Sequence, residues 1–312
     1  MESLSPSTYP LGEVFGYPTG NFSAEAERHR QLRLCPFNNR VGPSCTKNSV
    51  TDPLGVCTLA VDGYLTPICP VRFNEGNVAI ADAARFLFGP SATPRVVQEV
   101  PIRDQQGATV GRFDYVLVTV DSVTGEITDF GVLEVQSVYI SGNITDPFRR
   151  YLQDPTNEAE MDWRGQPKYP RPDYLSSSRK RLLPQLLTKG TILNAWRKKL
   201  TVALHQSFFA TLPPLPEVDL AEAEVAWLIY DLRANASGDR FNLTPVRQVY
   251  TRFQAALDAI AIPSPGPVEQ FIATLHRKLA TGEPHDRALP DDQPVSPRVL
   301  FSQTNGEDDD DA

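Results

Sequence analysis

The chain has 312 residues, a net charge of −8, 28 Pro and only four Cys. Its 41 % apolar and 22 % charged residues describe a globular protein with enough material for a buried core, and exclude a fibrous or wholly disordered chain. No run of 18 apolar residues exists, which excludes a spanning helix, and the polar start MESLSPSTYP has no basic or apolar leader, so a cytoplasmic protein is expected.

Residues 1–20 are rich in Pro and Gly and predict an irregular arm. FSAEAERHRQLRL (22–34) predicts a short helix with Ser23 as its N-cap. Residues 35–74 hold all four Cys among Pro, Gly and Asn, with no sustained period, as in a loop-rich module without a core of its own. GNVAIADAARFLFG (76–89) predicts a helix ended by Gly89, and RVVQEVPI (95–102) a strand. GRFDYVLVTV (111–120) and ITDFGVLEVQSVYI (127–140) are the strongest strands, joined by the turn DSVTGE (121–126). Residues 141–188 are polar and Pro-rich. TILNAWRKKLTVALHQSFFATL (191–212) predicts a long amphipathic helix, stopped by Pro213 and Pro214. EVAWLIYDLR (224–233) predicts a buried strand. PVRQVYTRFQAALDAIAI (245–262) and PVEQFIATLHRKLA (267–280) predict helices with Pro in the first turn. From 283 the chain is acidic and polar and predicts disorder. Strands lie between helices, so the class is a mixed α/β or α+β core.

The net charge is unevenly placed. Residues 283–312 carry −7, leaving −1 on the rest, while residues 164–199 carry +9. The acidic total therefore describes the tail, and the basic band is an electrostatic footprint suited to a phosphate backbone. A solvated helix face is the plainer reading of such a band.

The two strong strands carry three polar positions on one face. A hairpin centred near residue 124 puts Asp114 opposite Glu134, with Cβ atoms roughly 5 Å apart. Alternation puts Gln136 on the same face as Glu134. Two adjacent carboxylates repel, and burial adds to the cost; a divalent cation such as Mg²⁺ relieves both. The alternative is a solvent-facing polar stripe. Cys35, Cys45, Cys57 and Cys69 fall within 35 residues, with nine, eleven and eleven residues between them. No C-x-x-C pair is present. Four thiolates suit a tetrahedral zinc or iron site; two disulfides or four free thiols are the alternatives. His29, His205, His276 and His285 are scattered and read as surface or hydrogen-bonded histidines.

Asp114, nineteen residues, then Glu134-Val135-Gln136 resembles the PD-(D/E)XK nuclease motif with Gln in the Lys position. With CPFN (35–38), CTK (45–47), PLGVC (53–57) and FDY…LEVQ (113–115, 133–136), the chain resembles NotI-type restriction endonucleases over roughly residues 30–260. The resemblance implies a restriction-endonuclease-like core, a central mixed β-sheet flanked by helices, behind a loop-rich four-cysteine metal module. It implies Mg²⁺ on Asp114 and Glu134, a water oriented by Gln136, and Glu99 as an accessory acid, with Asp82 and Asp104 as rivals. One iron or zinc ion, iron by preference, would be held by the four Cys. The implied organisation is an arm and metal module over 1–74, a nuclease core over 75–282 with a DNA-binding insert over 141–199, and the tail 283–312.

The implied function is type II cleavage of double-stranded DNA at a GC-rich palindrome by a homodimer, leaving 5′-phosphate ends, with no membrane or small-molecule cofactor. Arg164, Lys168, Arg171, Arg179, Lys180 and Arg181 are candidates for base or phosphate contacts. The alternatives are another PD-(D/E)XK nuclease acting in repair or on DNA structure, or a non-catalytic DNA-binding protein with a zinc module.

Overall fold

A computed structural model describes residues 9–281 apart from 38–43, 50, 62, 159–161, 164, 263 and 264. The acidic tail and Arg164 lie outside the described residues. These residues divide into two compact units after Ile262.

The expected irregular arm is instead a hairpin, β1 (Leu11–Val14) and β2 (Tyr17–Pro18), as far as it is described. Its turn is Phe15–Gly16, both with positive φ, the backbone that matches the twist of a two-residue hairpin. Helix α1 (Ala24–Gln31) follows, and Ser23 Oγ caps it by accepting from Ala26 N at 3.3 Å. Strands β3 (Val56–Val61) and β4 (Tyr64–Pro67) complete an antiparallel sheet in the order β2-β1-β3-β4. The cysteine segment therefore has a core, built from Leu11, Val14, Val56, Leu59 and Ile68. These strands are buried on both faces, so their sequence lacks the alternation that announces a half-exposed strand.

Helix α2 (Val78–Phe88) ends at Gly89, whose φ of 93° favours glycine. Strands β5 (Arg95–Arg103), β6 (Thr109–Val120) and β7 (Ile127–Gln136) run antiparallel in succession. After them, β8 (Tyr139–Ser141) pairs with β9 (Arg171–Asp173), and α3 (Thr145–Gln153) lies between these two in the chain. A continuous helical run covers 174–195. It contains two π-helical stretches, Ser178–Leu182 and Leu186–Gly190. Strands β10 (Leu200–His205), β11 (Val225–Ala234) and β12 (Phe241–Thr251) precede α4 (Phe253–Ala261). Helix α5 (Val268–Thr281), in the second unit, matches its expected span.

Two expectations fail here. Residues 191–212 are not one helix: helix ends at Ala195, and Leu200–His205 is a central parallel strand, every residue of it buried. An apolar run buried on both faces carries no period that separates strand from helix. Residues 245–251 are strand, not helix. Pro245 is tolerated because β12 is the sheet edge and the register shifts there.

The large sheet has the order β12-β11-β10-β7-β6-β5 and is mixed, with β7, β10 and β11 parallel. One face is covered by α2. Gly131 admits it: a Cβ there would stand 2.5 Å from the Leu87 side chain. The other face is covered by the 174–195 run and α4, through Leu182, Leu186, Leu193, Phe253 and Leu257. Along β7, Leu133 and Val135 face α2, so Glu134 and Gln136 face the 174–195 run. No helix among the described residues is long and apolar enough to cross a membrane.

Candidate active site

The register of β6 and β7 pairs Tyr115 with Leu133 and Val116 with Val132, which sets Asp114 against Glu134 as the hairpin arithmetic requires. Each carboxylate is fastened to the other's strand. Val135 N–H donates to Asp114 Oδ2 at 2.9 Å, and Asp114 N–H donates to Glu134 Oε1 at 3.3 Å. The remaining oxygens share one ammonium: Lys189 Nζ lies 2.5 Å from Glu134 Oε2 and 3.6 Å from Asp114 Oδ1. The Glu134 side chain is 4 % exposed and that of Asp114 28 %, so the pair opens to solvent on the Asp114 side. Burial pushes the Glu134 carboxyl up to about 8, the Asp114 charge adds to this, and Lys189 opposes both.

Gln136 is buried on the same face and its amide donates to Gln185 Oε1. Its own Oε1 has no donor among the described residues. Leu182, Leu186, Leu200 and Val202 form the apolar wall around these groups. Glu99 sits across β5 from Asp114, since Gln98 pairs with Tyr115 and Val100 with Phe113. It is exposed, its φ is 54°, and its carboxylate makes no hydrogen bond or ion pair among the described residues. The rival acids are engaged elsewhere. Asp82 accepts from Tyr230 and Arg85 against the opposite face, and Asp104 closes a turn by accepting from Gln106 N and Ala108 N.

The four cysteines are buried and none is in a disulfide. An isolated bridge between Leu34 and Ser44 brings Cys35 towards Cys45, and the β3–β4 hairpin brings Cys57 towards Cys69. Burial raises the Cys57 thiol well above its usual range, with neighbouring Cys69 and Cys35 adding to it; burial also raises Cys45. Lys47 Nζ donates to the Val56 and Ile68 carbonyls beside them, at 2.9 and 3.1 Å. Three of the thiols, Cys35, Cys45 and Cys69, line a cavity of about 570 Å³ that Ser137–Ile140 and Arg181 also border. Among the described residues, no group of three or more His, Cys, Asp or Glu side chains is arranged so that it could hold a metal ion.

The family model described as Restriction endonuclease NotI matches residues 14–243. The chain belongs to the NotI restriction endonuclease family. It is a type II site-specific restriction endonuclease, a hydrolase whose partner is DNA. The match spans the four cysteines, Asp114, Glu134, Gln136 and the 174–195 run. No curated protein matches the chain.

In this NotI-family enzyme the basic candidates fall in two groups. Lys168, Arg171, Arg179 and Lys180 are exposed. Arg181 is half-buried, 3.5 Å from Oγ of Ser137, the residue after Gln136, and stacked over Tyr139 at 5.2 Å. His205 is buried, its Nδ1 hydrogen-bonds Ser207 and its Nε2 lies 3.3 Å from Asp231 Oδ1. Sequence reasoning missed Lys189 and Gln185 at the carboxylate pair. In the sequence Lys189 is one base of the +9 band; its signal is that it alone in the band stands within an apolar run, LLPQLLTKGTIL (182–193).

Proposed function

We propose that this NotI-family enzyme cleaves DNA at Asp114, Glu134 and Gln136 by the chemistry of PD-(D/E)XK nucleases. The observation that carries the reading is the braced carboxylate pair, whose two remaining oxygens converge on a single cationic group. Hard oxygens of one or two carboxylates, open to solvent on one side, are the donor set for Mg²⁺. Bound there, Mg²⁺ supplies Lewis-acid stabilisation of the phosphoryl group and a more acidic water. Asp114 and Glu134 hold it. Gln136 offers Oε1 as an acceptor to the attacking water, and the 3′ oxygen leaves, so the product carries a 5′-phosphate. Glu99, register-opposed to Asp114, acts as the accessory acid.

The reading extends to the assembly. Residues 1–74 form the metal module, 75–282 the nuclease core and 141–199 the DNA-binding insert, with two copies meeting on a GC-rich palindrome. The exposed arginines and lysines of the insert contact guanine edges or phosphates. The four thiols hold one iron or zinc ion. Donor type and number fit it; the thiols must draw together to reach tetrahedral bonding, because no such cage is closed among the described residues.

The test is digestion of plasmid and genomic DNA with and without Mg²⁺. Discrete, Mg²⁺-dependent fragments are expected, and Glu134→Ala binds DNA without cutting it. Cutting by that variant at the wild-type rate overturns the site assignment.

A further inference from the structure

The E-x-Q strand carries no positive charge of its own, because position 136 is an uncharged amide, and one of its two N–H donors goes to Gln185. The charge comes from another element. Lys189 is 8 % exposed, and among the described residues it is the only cationic side chain in contact with Asp114 or Glu134. An ammonium has three donors. Glu134 takes one at 2.5 Å and Asp114 lies near a second at 3.6 Å, so at most two are engaged.

Two glycines, Gly190 beside it in the chain and Gly111 on the sheet, shape the surroundings of Lys189. Gly190 lies against Phe253 so closely that a Cβ would stand 2.3 Å from the ring. The π-helical stretch Leu186–Gly190 thereby sits flat on α4. Such stretches recur at functional sites because they re-aim side chains within a helix. On the sheet side, Gly111 has no side chain to crowd the lysine stem; its Cβ would come only within 4.0 Å of Lys189 Cε.

We propose that Lys189 is a further catalytic residue of this enzyme. Its ammonium neutralises the Asp114–Glu134 pair until a divalent cation and DNA arrive, then moves on its unbranched stem to bond the scissile phosphate. This supplies from the helical run the cation that position 136 lacks. The inference rests on the reading of Asp114 and Glu134 as metal ligands.

The experiment separates the two. Mn²⁺ binding to the DNA-free protein is measured by calorimetry, and single-turnover cleavage of a plasmid in saturating Mg²⁺, for wild type, Lys189→Gln, Lys189→Arg and Asp114→Asn/Glu134→Gln, with melting curves for each. Removing the competing ammonium in Lys189→Gln should tighten Mn²⁺ binding about tenfold while slowing cleavage about a hundredfold. A residue that served only to hold the fold would weaken both. Lys189→Arg keeps the charge, so its Mn²⁺ affinity stays near wild type even if Lys189→Gln melts, and its cleavage falls because the planar fork cannot replace a point charge. Unchanged or weaker Mn²⁺ binding in a folded Lys189→Gln, or cleavage at the wild-type rate, overturns the role of Lys189. Undiminished Mn²⁺ binding by Asp114→Asn/Glu134→Gln overturns the metal-site reading itself.

Discussion

The carboxylate pair and the four thiols each lie beside one lysine, and they are balanced in opposite ways. At the carboxylates, Lys189 bonds the acids directly. At the thiols, Lys47 donates to the backbone carbonyls of Val56 and Ile68, and the desolvated thiols are pushed up towards the neutral form. The ordinary pKa values explain the difference. A thiol near 8.5 stays neutral at pH 7 with little help, whereas a carboxylate near 4.3 does not. A metal entering the thiol cluster must therefore displace protons, and one entering the carboxylate pair must displace an ammonium and, below about pH 8, the proton that burial keeps on Glu134.

The sharpest way to break this comparison is at the thiols. If the four thiols hold iron or zinc as proposed, Cys57→Ser/Cys69→Ser should lose that metal and lower Tm by about 10 °C, since metal binding in such modules is folding energy. Metal analysis and melting curves check it, and retained metal would sink the four-thiol reading. A smaller effect is expected from pH. Glu134 titrates at about 8 in the folded protein against 4.5 unfolded. The folded state thus holds the proton more tightly, and the stability this contributes is full below about pH 4.5 and lost as pH rises to about 8. Metal-free wild type should lose on the order of 5 kcal/mol across that window, while Glu134→Gln stays flat. Parallel curves would remove Glu134 from the cluster.

A further variant touches one cluster alone. Gly190→Ala drives a methyl into Phe253 and should cost about 1–3 kcal/mol. It should slow cleavage yet leave the iron or zinc content of the cysteine module unchanged. Loss of that metal would mean the clusters are coupled. The smallest effect is expected from ending the chain at residue 282, which removes only the acidic tail. Cleavage should stay within about twofold, with somewhat tighter nonspecific DNA binding because seven negative charges are gone.

The part of the site that lies on one hairpin was legible in the sequence. The turn at 121–126 and period-two alternation are local, and they suffice to put Asp114 against Glu134. Lys189 and Gln185 were not legible, because they arrive from a helical run about 50 residues away in the chain whose π-helical turns have no compositional mark. Strands β10 and β1 escaped for another reason. Burial on both faces erases the alternation that identifies a strand. The four cysteines announced a cluster by number, but the Leu34–Ser44 bridge and the β3–β4 hairpin, which bring Cys35 towards Cys45 and Cys57 towards Cys69, have no mark in the sequence.

The reciprocal brace across β6 and β7 also bears on which ions the enzyme accepts. Asp114 Oδ2 and Glu134 Oε1 are committed to backbone N–H groups, which leaves each carboxylate one oxygen to give. Two-armed chelation by either would compete with its backbone bond. Calcium, which seeks six to eight oxygens and favours two-armed carboxylates, finds half of what it needs. A smaller ion content with two fixed oxygens, water and a phosphate is the better match. On the proposed reading, the main chain of the sheet sets ion selectivity, and no side chain has to be added to exclude calcium.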